Sequence, residues 1–291
     1  MSCTIYDTAW LAQVSKLDGN ARIWLFPECF HYVLQNQQPD GSWPSYAADI
    51  DGILNTAASL LALQLHMAEP LQMSEATPGN LTSRIAAGKA TLQKLLSQWD
   101  VESTEHVGFE VIVPSLLQRL EKTGLSFDFP GKARLQHVQS QKLRKFKPDY
   151  LYGDAKLTAL HSLEAFIGMV DFDKVRHHKA FGSMMASPAS TAAYLMNVSE
   201  WDPEAELYLR HVISAGPGRG SGGVPSAFPS TYFEYCWALS TLLKSGYQPS
   251  DLGSEYLQGL AKILQDALEQ SNGTLGFGMS LAIPICVAPS N

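Results

Sequence analysis

The chain has 291 residues, a formal net charge of −7, 45% hydrophobic residues and 17% charged ones. That is a globular balance, long enough for one large domain or two ordinary ones, and its acidity excludes nucleic acid as a main partner. The apolar runs are too short and too broken to span a bilayer. Without a signal peptide, the four cysteines Cys3, Cys29, Cys236 and Cys286, which show no metal-ligand spacing, read as reduced thiols of a cytoplasmic protein.

Taken in order, the chain is a succession of helices. In Met1–Val14, Tyr6, Ala9, Trp10 and Val14 form an apolar helical stripe. Pro27 opens a second helix that runs to Gln37, since proline suits a first turn whose amides have no partner. Gln38–Trp43, QPDGSW, is turn chemistry, with Trp43 placed to fold back on the preceding helix. Ile53–Met67 is apolar nearly all round, the mark of an inner helix. Just before it, Asp49 and Asp51 read as a helix-capping pair. Ser83–Trp99 is amphipathic. An acidic link, Asp100–Glu105, leads to a helix over Ser115–Lys122 that Pro114 opens and Gly124 ends. A polar, basic stretch follows, with a helix over Lys132–Lys145.

Asp154–Gly168, DAKLTALHSLEAFIG, reads as a helix with Asp154 as N-cap and Gly168 turning left-handed past its end. His161 sits inside its apolar pattern, and Glu164 lies nearly one turn further on. A histidine there is either a satisfied core group or a proton carrier. Further helices open at Pro188 and Pro203. The Gly/Pro-rich loop Gly216–Pro229 precedes helices over Thr231–Ser245 and Ser254–Gln270, and beyond Gly273 the helical period stops.

No long β alternation occurs. Two stretches share a Gly-Ser turn followed by a Thr-Ala-Ala helix, at Gly41 and at Gly182, which suggests a repeated α-hairpin and a closed α/α barrel. The basic run Lys142, Arg144, Lys145 and Lys147 is either a solvated face or a meeting point for a small polyphosphate.

Five segments together resemble the class II diterpene cyclases, in the form of the fungal bifunctional copalyl diphosphate/ent-kaurene synthases. They are YDTAW (Tyr6–Trp10), QPDGSW (Gln38–Trp43), EHVGFEVIVPSL (Glu105–Leu116), LHSLE (Leu160–Glu164) and GGVPSAFPSTYFEYCWAL (Gly222–Leu239). They occur in the family's order and spacing.

The resemblance implies an all-α fold of the α/α-barrel βγ architecture, with the active site between two barrel domains. Residues 1–16 would be the first helix of the β domain. Residues 17–220 would be the inserted γ domain, and 221–291 a truncated β domain with an atypical tail. The reaction implied is protonation-initiated cyclisation of geranylgeranyl diphosphate to copalyl diphosphate. The family's acid is an Asp-x-Asp-Asp motif, which these 291 residues do not contain; the chain alone is therefore expected to be inactive. The Asp49–Asp51 pair stands where the family has an ordinary helix start.

The resemblance further implies that His161 corresponds to a histidine which, with an asparagine, holds the proton-removing water in plant enzymes making the ent isomer. Ser226 stands at the asparagine's position. Asp100, Glu102 and Glu105 correspond to an acidic Mg²⁺/diphosphate motif in reduced form, set against a plain acidic linker. Lys142 and Lys145 fall near the family's basic approach to the diphosphate. The other reading is a non-catalytic remnant or splice form that binds prenyl diphosphate or associates with a full-length synthase or with the missing β/α portion.

Overall fold

The structure, a computed structural model, describes residues 2–46, 48–73, 80–255, 257–259 and 261–262. The chain divides into two compact units, Ser2–Ser226 and a smaller one made of Met1 and Ala227–Asn291.

In the larger unit, α1 (Ile5–Leu11) leads into a hairpin of β1 (Ser15–Asp18) and β2 (Ala21–Trp24), paired antiparallel with Ser15 opposite Trp24. Seven further helices follow: α2 (Pro27–Gln35), α3 (Asp49–Ala68), α4 (Leu81–Gln98), α5 (Phe109–Lys122), α6 (Lys132–Lys145), α7 (Pro188–Asn197) and α8 (Pro203–Ala215). Consecutive helices pack in pairs, α1 on α2, α3 on α4, α5 on α6 and α7 on α8. This is the repeated hairpin that the Gly-Ser/Thr-Ala-Ala likeness suggests. The smaller unit carries α9 (Thr231–Lys244) and a short 3₁₀ turn, Pro249–Leu252. The expected last helix and the apolar tail lie largely outside the described residues, as do the Cys286 and Gly273 regions.

α3 is the inner helix that its uniform apolarity requires: Ile50 and every residue from Gly52 to Gln64 are buried, and α1, α4 and α5 all pack on it. It starts four residues before the sequence pattern does. Asp51 is not an N-cap; its carboxylate accepts the amide of Ala48 from inside the first turn, 3.1 Å away. The turn before it behaves as its sequence directs. Trp43 folds back, and its indole N–H donates to the carbonyl of Val33 at 2.8 Å. Gly41 is left-handed at φ +88°, and a Cβ there would strike the backbone of Ala87.

The β hairpin over 15–24 has only four residues per strand, too few to show alternation in the sequence. Two expectations are corrected. α5 begins at Phe109, with Pro114 inside it. Asp154–Gly168 is not an α-helix: Thr158–Phe166 is 3₁₀, with Ser162 in a non-helical conformation at φ −137°, ψ 43°. The cause is a side chain from α7. The Ser190 hydroxyl donates to the Leu160 carbonyl at 2.6 Å and accepts the Leu163 amide at 3.3 Å. It thereby takes both backbone groups away from the helical ladder. Gly168 does turn left-handed, at φ +87°.

A buried histidine closes the core beside the hairpin. His66 lies between the rings of Phe30 and Trp24, with centroids at 3.6 Å and 4.0 Å, and its Nε2–H donates to the Ala12 carbonyl at 2.8 Å. Burial pulls its pKa down to about 4, so it is neutral and packs as an aromatic.

Ser190→Ala should leave the Leu163 amide buried without its partner, a loss of about 1–3 kcal/mol. The expected result is a lower urea midpoint with the slope unchanged. An unaltered midpoint would remove Ser190 as the cause of the break.

Candidate functional site

The site is built around α1. This helix is seven residues long and carries a tyrosine and an aspartate into the interior. Tyr6 offers its backbone amide to Asn55 Oδ1 of α3 at 3.1 Å. The Asn55 amide group in turn donates to the Pro44 carbonyl at 2.6 Å. The Tyr6 hydroxyl donates to Glu164 Oε1 at 3.0 Å. Asp7 accepts the Thr4 hydroxyl at 2.7 Å and the Ala189 amide at 3.3 Å. The second of these places its charge at the N-terminal turn of α7, where the helix dipole favours an anion.

Tyr6, Asp7, Asn55, His161, Ser162, Glu164 and Ser226 lie on the wall of one cleft of about 350 Å³. Leu54, Val107 and Ile112 supply apolar wall. The Gly216–Ser226 loop reaches the cleft because its backbone docks on α1: the Thr4 amide donates to the Val224 carbonyl at 2.8 Å, and the Val224 amide to the Thr8 hydroxyl at 3.1 Å. Gly222, at φ +95°, touches α2 so closely that a Cβ would collide with the Glu28 carbonyl.

His161 is half-buried in this wall. Its Nδ1–H donates to the Met185 carbonyl at 3.2 Å, which fixes the tautomer and leaves Nε2 as the basic nitrogen. Burial holds its pKa below the usual histidine value, so the ring is neutral.

The two carboxyls are driven apart. Both oxygens of Asp7 accept hydrogen bonds, yet burial still lifts it to about 6. Glu164 is 2% exposed. Burial first, and the charge of Asp7 after it, raise Glu164 to about 8. Its Oε1 accepts from Tyr6, while its Oε2 is buried with no hydrogen-bond partner. At neutral pH Glu164 is therefore a carboxylic acid and Asp7 a carboxylate, a split of the kind found where protons are managed.

The other expected residues stand elsewhere. The acidic segment reaches the cleft only through the next residue, His106. Asp100 Oδ1 accepts the amides of Glu102 and Ser103 at 2.9 and 3.4 Å, Glu102 pairs with Arg134 at 3.1 Å, and Glu105 is exposed. Among the described residues no group of three His, Cys, Asp or Glu side chains could hold a metal ion. The three acids therefore do not fit a preformed Mg²⁺ centre. Lys142 Nζ pairs with Glu110 of α5 at 2.7 Å, Lys145 is exposed, and neither lines the cleft. Cys3 and Cys29 are free thiols.

No protein-family model matches the chain. It is 54% identical to the copalyl diphosphate synthase of Talaromyces verruculosus over 278 residues, 95% of this chain and 29% of that protein. Against the bifunctional ent-kaurene synthase of Gibberella fujikuroi the figures are 48% over 280 residues, 95% of this chain and 29% of the relative. The solved structure of ent-copalyl diphosphate synthase from Arabidopsis thaliana, in complex with (S)-15-aza-14,15-dihydrogeranylgeranyl thiolodiphosphate, superposes with a TM-score of 0.72. The match is 26% identical and covers 91% of this chain and 36% of that one. Over nearly its whole length the chain is thus similar to the N-terminal part of diterpene cyclases. Its fold is the all-α, α/α-barrel fold of those enzymes, and it spans under a third of the length of the curated relatives it matches. No helix among the described residues is long and apolar enough to cross a membrane.

The sequence motifs single out His161 and Ser226, both of which line the cleft, but give no role to Tyr6, Asp7, Asn55 or the neutral state of Glu164. The available signal was a set of polar residues inside apolar helical stripes, at Tyr6-Asp7 and at Glu164.

The neutral acid makes a stability prediction. Glu164 titrates near 8 when folded and near 4.5 when unfolded, so the folded state binds the extra proton between those values. Stability from this group is full below about 4.5 and is lost as pH rises to 8. Glu164→Gln removes that loss. The variant should gain on the parent chain progressively from pH 5 to pH 8, by a few kcal/mol in all and at most about 1.4 kcal/mol for each pH unit crossed. Melting temperatures of the two chains across that range check this; a constant difference would mean that Glu164 is ionised in the fold.

Proposed function

We propose that this chain is the N-terminal part of a class II diterpene synthase, acting in cyclisation of geranylgeranyl diphosphate to copalyl diphosphate. Residues 17–220 serve as the γ barrel, and residues 1–16 and 221–291 belong to the β domain. The observation that carries the reading is the neutral His161, pinned through Nδ1 to Met185 on the wall of a partly apolar cleft. A base of low proton affinity, sheltered from solvent, is suited to removing the last proton from a carbocation without quenching it earlier. Ser226 lines the same cleft and carries a hydroxyl of the kind that holds a water. The proton that starts the reaction comes from an Asp-x-Asp-Asp acid, which these 291 residues do not contain, so the isolated chain is inactive.

No step is assigned to Mg²⁺. Asp100, Glu102 and Glu105 offer the hard oxygen donors that Mg²⁺ takes together with substrate phosphates, and they would meet the ion only as its diphosphate complex, outside the cleft. Lys142 and Lys145 are the cations available to that diphosphate.

Sequencing of the full-length transcript tests the reading. The coding sequence should continue into an Asp-x-Asp-Asp segment, and in the continued protein His161→Ala should lower kcat by about 10²–10⁴, the usual worth of a positioned base. A transcript that ends at codon 291 would overturn it and leave the second reading, a chain that binds prenyl diphosphate or pairs with a complete synthase.

A further inference from the structure

We propose that the Glu164 carboxyl, buried in the wall, is the counter-ion of the cleft, its charge drawing in the positively charged, apolar end of a ligand. The proposal deepens the cyclase reading and rests on it for the hydrocarbon character of the ligand. It stands on three features of the wall. First, Glu164 is buried to 2% exposure, yet Oε2 has no hydrogen-bond partner while Oε1 is held by Tyr6. Such a buried, half-satisfied carboxyl is costly unless something completes it. Second, among the described residues three carboxyls line the cleft, at positions 7, 51 and 164, and no lysine or arginine does. A diphosphate is repelled from such a wall, whereas a cation is attracted. Third, Leu54, Val107 and Ile112 provide the apolar surface that selects a greasy cation over a hydrated metal ion.

The charge balance is simple. The Tyr6 hydroxyl donates to Oε1, so the acid proton sits on Oε2, the oxygen without a partner. When a cation approaches, the O–H bond of Glu164 breaks and the proton leaves to solvent. The carboxylate that remains is stabilised by the ligand's charge. Nothing is oxidised or reduced. The other titratable groups facing the site are Asp7, Tyr6, Asp51, Tyr46, His106 and His161, with Arg119 lying 5.3 Å over the Trp10 ring. Asp7 accepts two hydrogen bonds and is already largely ionised at pH 7, and both tyrosines are held above their ordinary value by burial. His161 is neutral and stays so when a second positive charge enters. Of the two buried carboxyls on this wall, Glu164 is the one that holds a proton at neutral pH.

The test is calorimetric titration of the 291-residue chain with decyltrimethylammonium below its micelle concentration. Phosphate and Tris buffers are compared, with 1-decanol as the uncharged control. The expected result is about one proton released per cation bound at pH 7, and affinity for the cation that weakens up to about tenfold for each pH unit below 8. Decanol should bind without proton release. Glu164→Gln keeps an acceptor for Tyr6 and should lose the release and at least tenfold in cation affinity, with decanol unaffected. The wild-type buffer comparison stands by itself if that variant does not fold. Equal heats in the two buffers, or no preference for the cation over decanol, overturn the proposal and leave the cyclase reading untouched. Binding of neither probe overturns both the proposal and the assignment of the cleft to a hydrocarbon ligand.

Discussion

The larger unit depends on the burial of two polar side chains from a helix too short to be stable alone. Seven residues make fewer than two full turns, and such a helix survives only through tertiary contacts. α1 obtains them by directing hydrogen bonds to four separate parts of the chain. The Thr4 and Thr8 groups hold the Gly216–Ser226 loop, Tyr6 reaches α3 through Asn55, Asp7 meets the first turn of α7, and the Tyr6 hydroxyl ends on Glu164. Each bond is worth only about 1 kcal/mol net, but loss of any one strands a buried partner, which is the larger penalty. α1 is the element that the family resemblance assigns to the β domain, yet its polar groups are committed to α3, α7 and the 158–166 segment. A chain with this pin in place has its cleft wall set before any ligand arrives.

The same pin creates the electrostatics of the site. A carboxyl that accepts two hydrogen bonds, as Asp7 does, keeps a usable charge in spite of burial. A carboxyl that accepts one, as Glu164 does, does not. The first then raises the second further. Geometry alone thus separates an anion from a neutral acid a short way apart. The paired lysine at 142 and the acidic link at 100–105 lie outside this wall. The charges suited to a phosphate group and those suited to a cation are therefore segregated along the surface of the fold.

Most of this architecture was legible in the sequence. Proline at the first turns of α2, α7 and α8, the turn at 38–43, the helix at 132–145 with both its bounds and the all-round apolarity of α3 are local signals, and each was met in the fold. What escaped was set by contacts between distant segments. The apolar spacing in 154–168 is truly helical, yet Ser190 sits 27 residues beyond Leu163 and overrides it. The site shows the same division. The histidine and the serine are visible as motif positions. The protonation state of Glu164 depends on how deeply Tyr6, Asp7 and α7 bury it, and no spacing rule reports that.

The broken segment also explains how three nearby residues reach one cleft. In a regular α-helix successive side chains point about 100° apart, so Ser162 would turn away from the face shared by His161 and Glu164. In the fold, His161, Ser162 and Glu164 all line the same wall. The departure at Ser162 makes that possible, and Ser190 sustains it by satisfying the carbonyl of Leu160 and the amide of Leu163. A structural serine on α7 therefore fixes the relative placement of His161 and Glu164. Both then hang on a stretch whose own sequence preference is for a plain helix. The local preference yields because a buried hydroxyl with two backbone partners offers more than the helical hydrogen bonds it displaces, and the cleft exists at that point for the same reason.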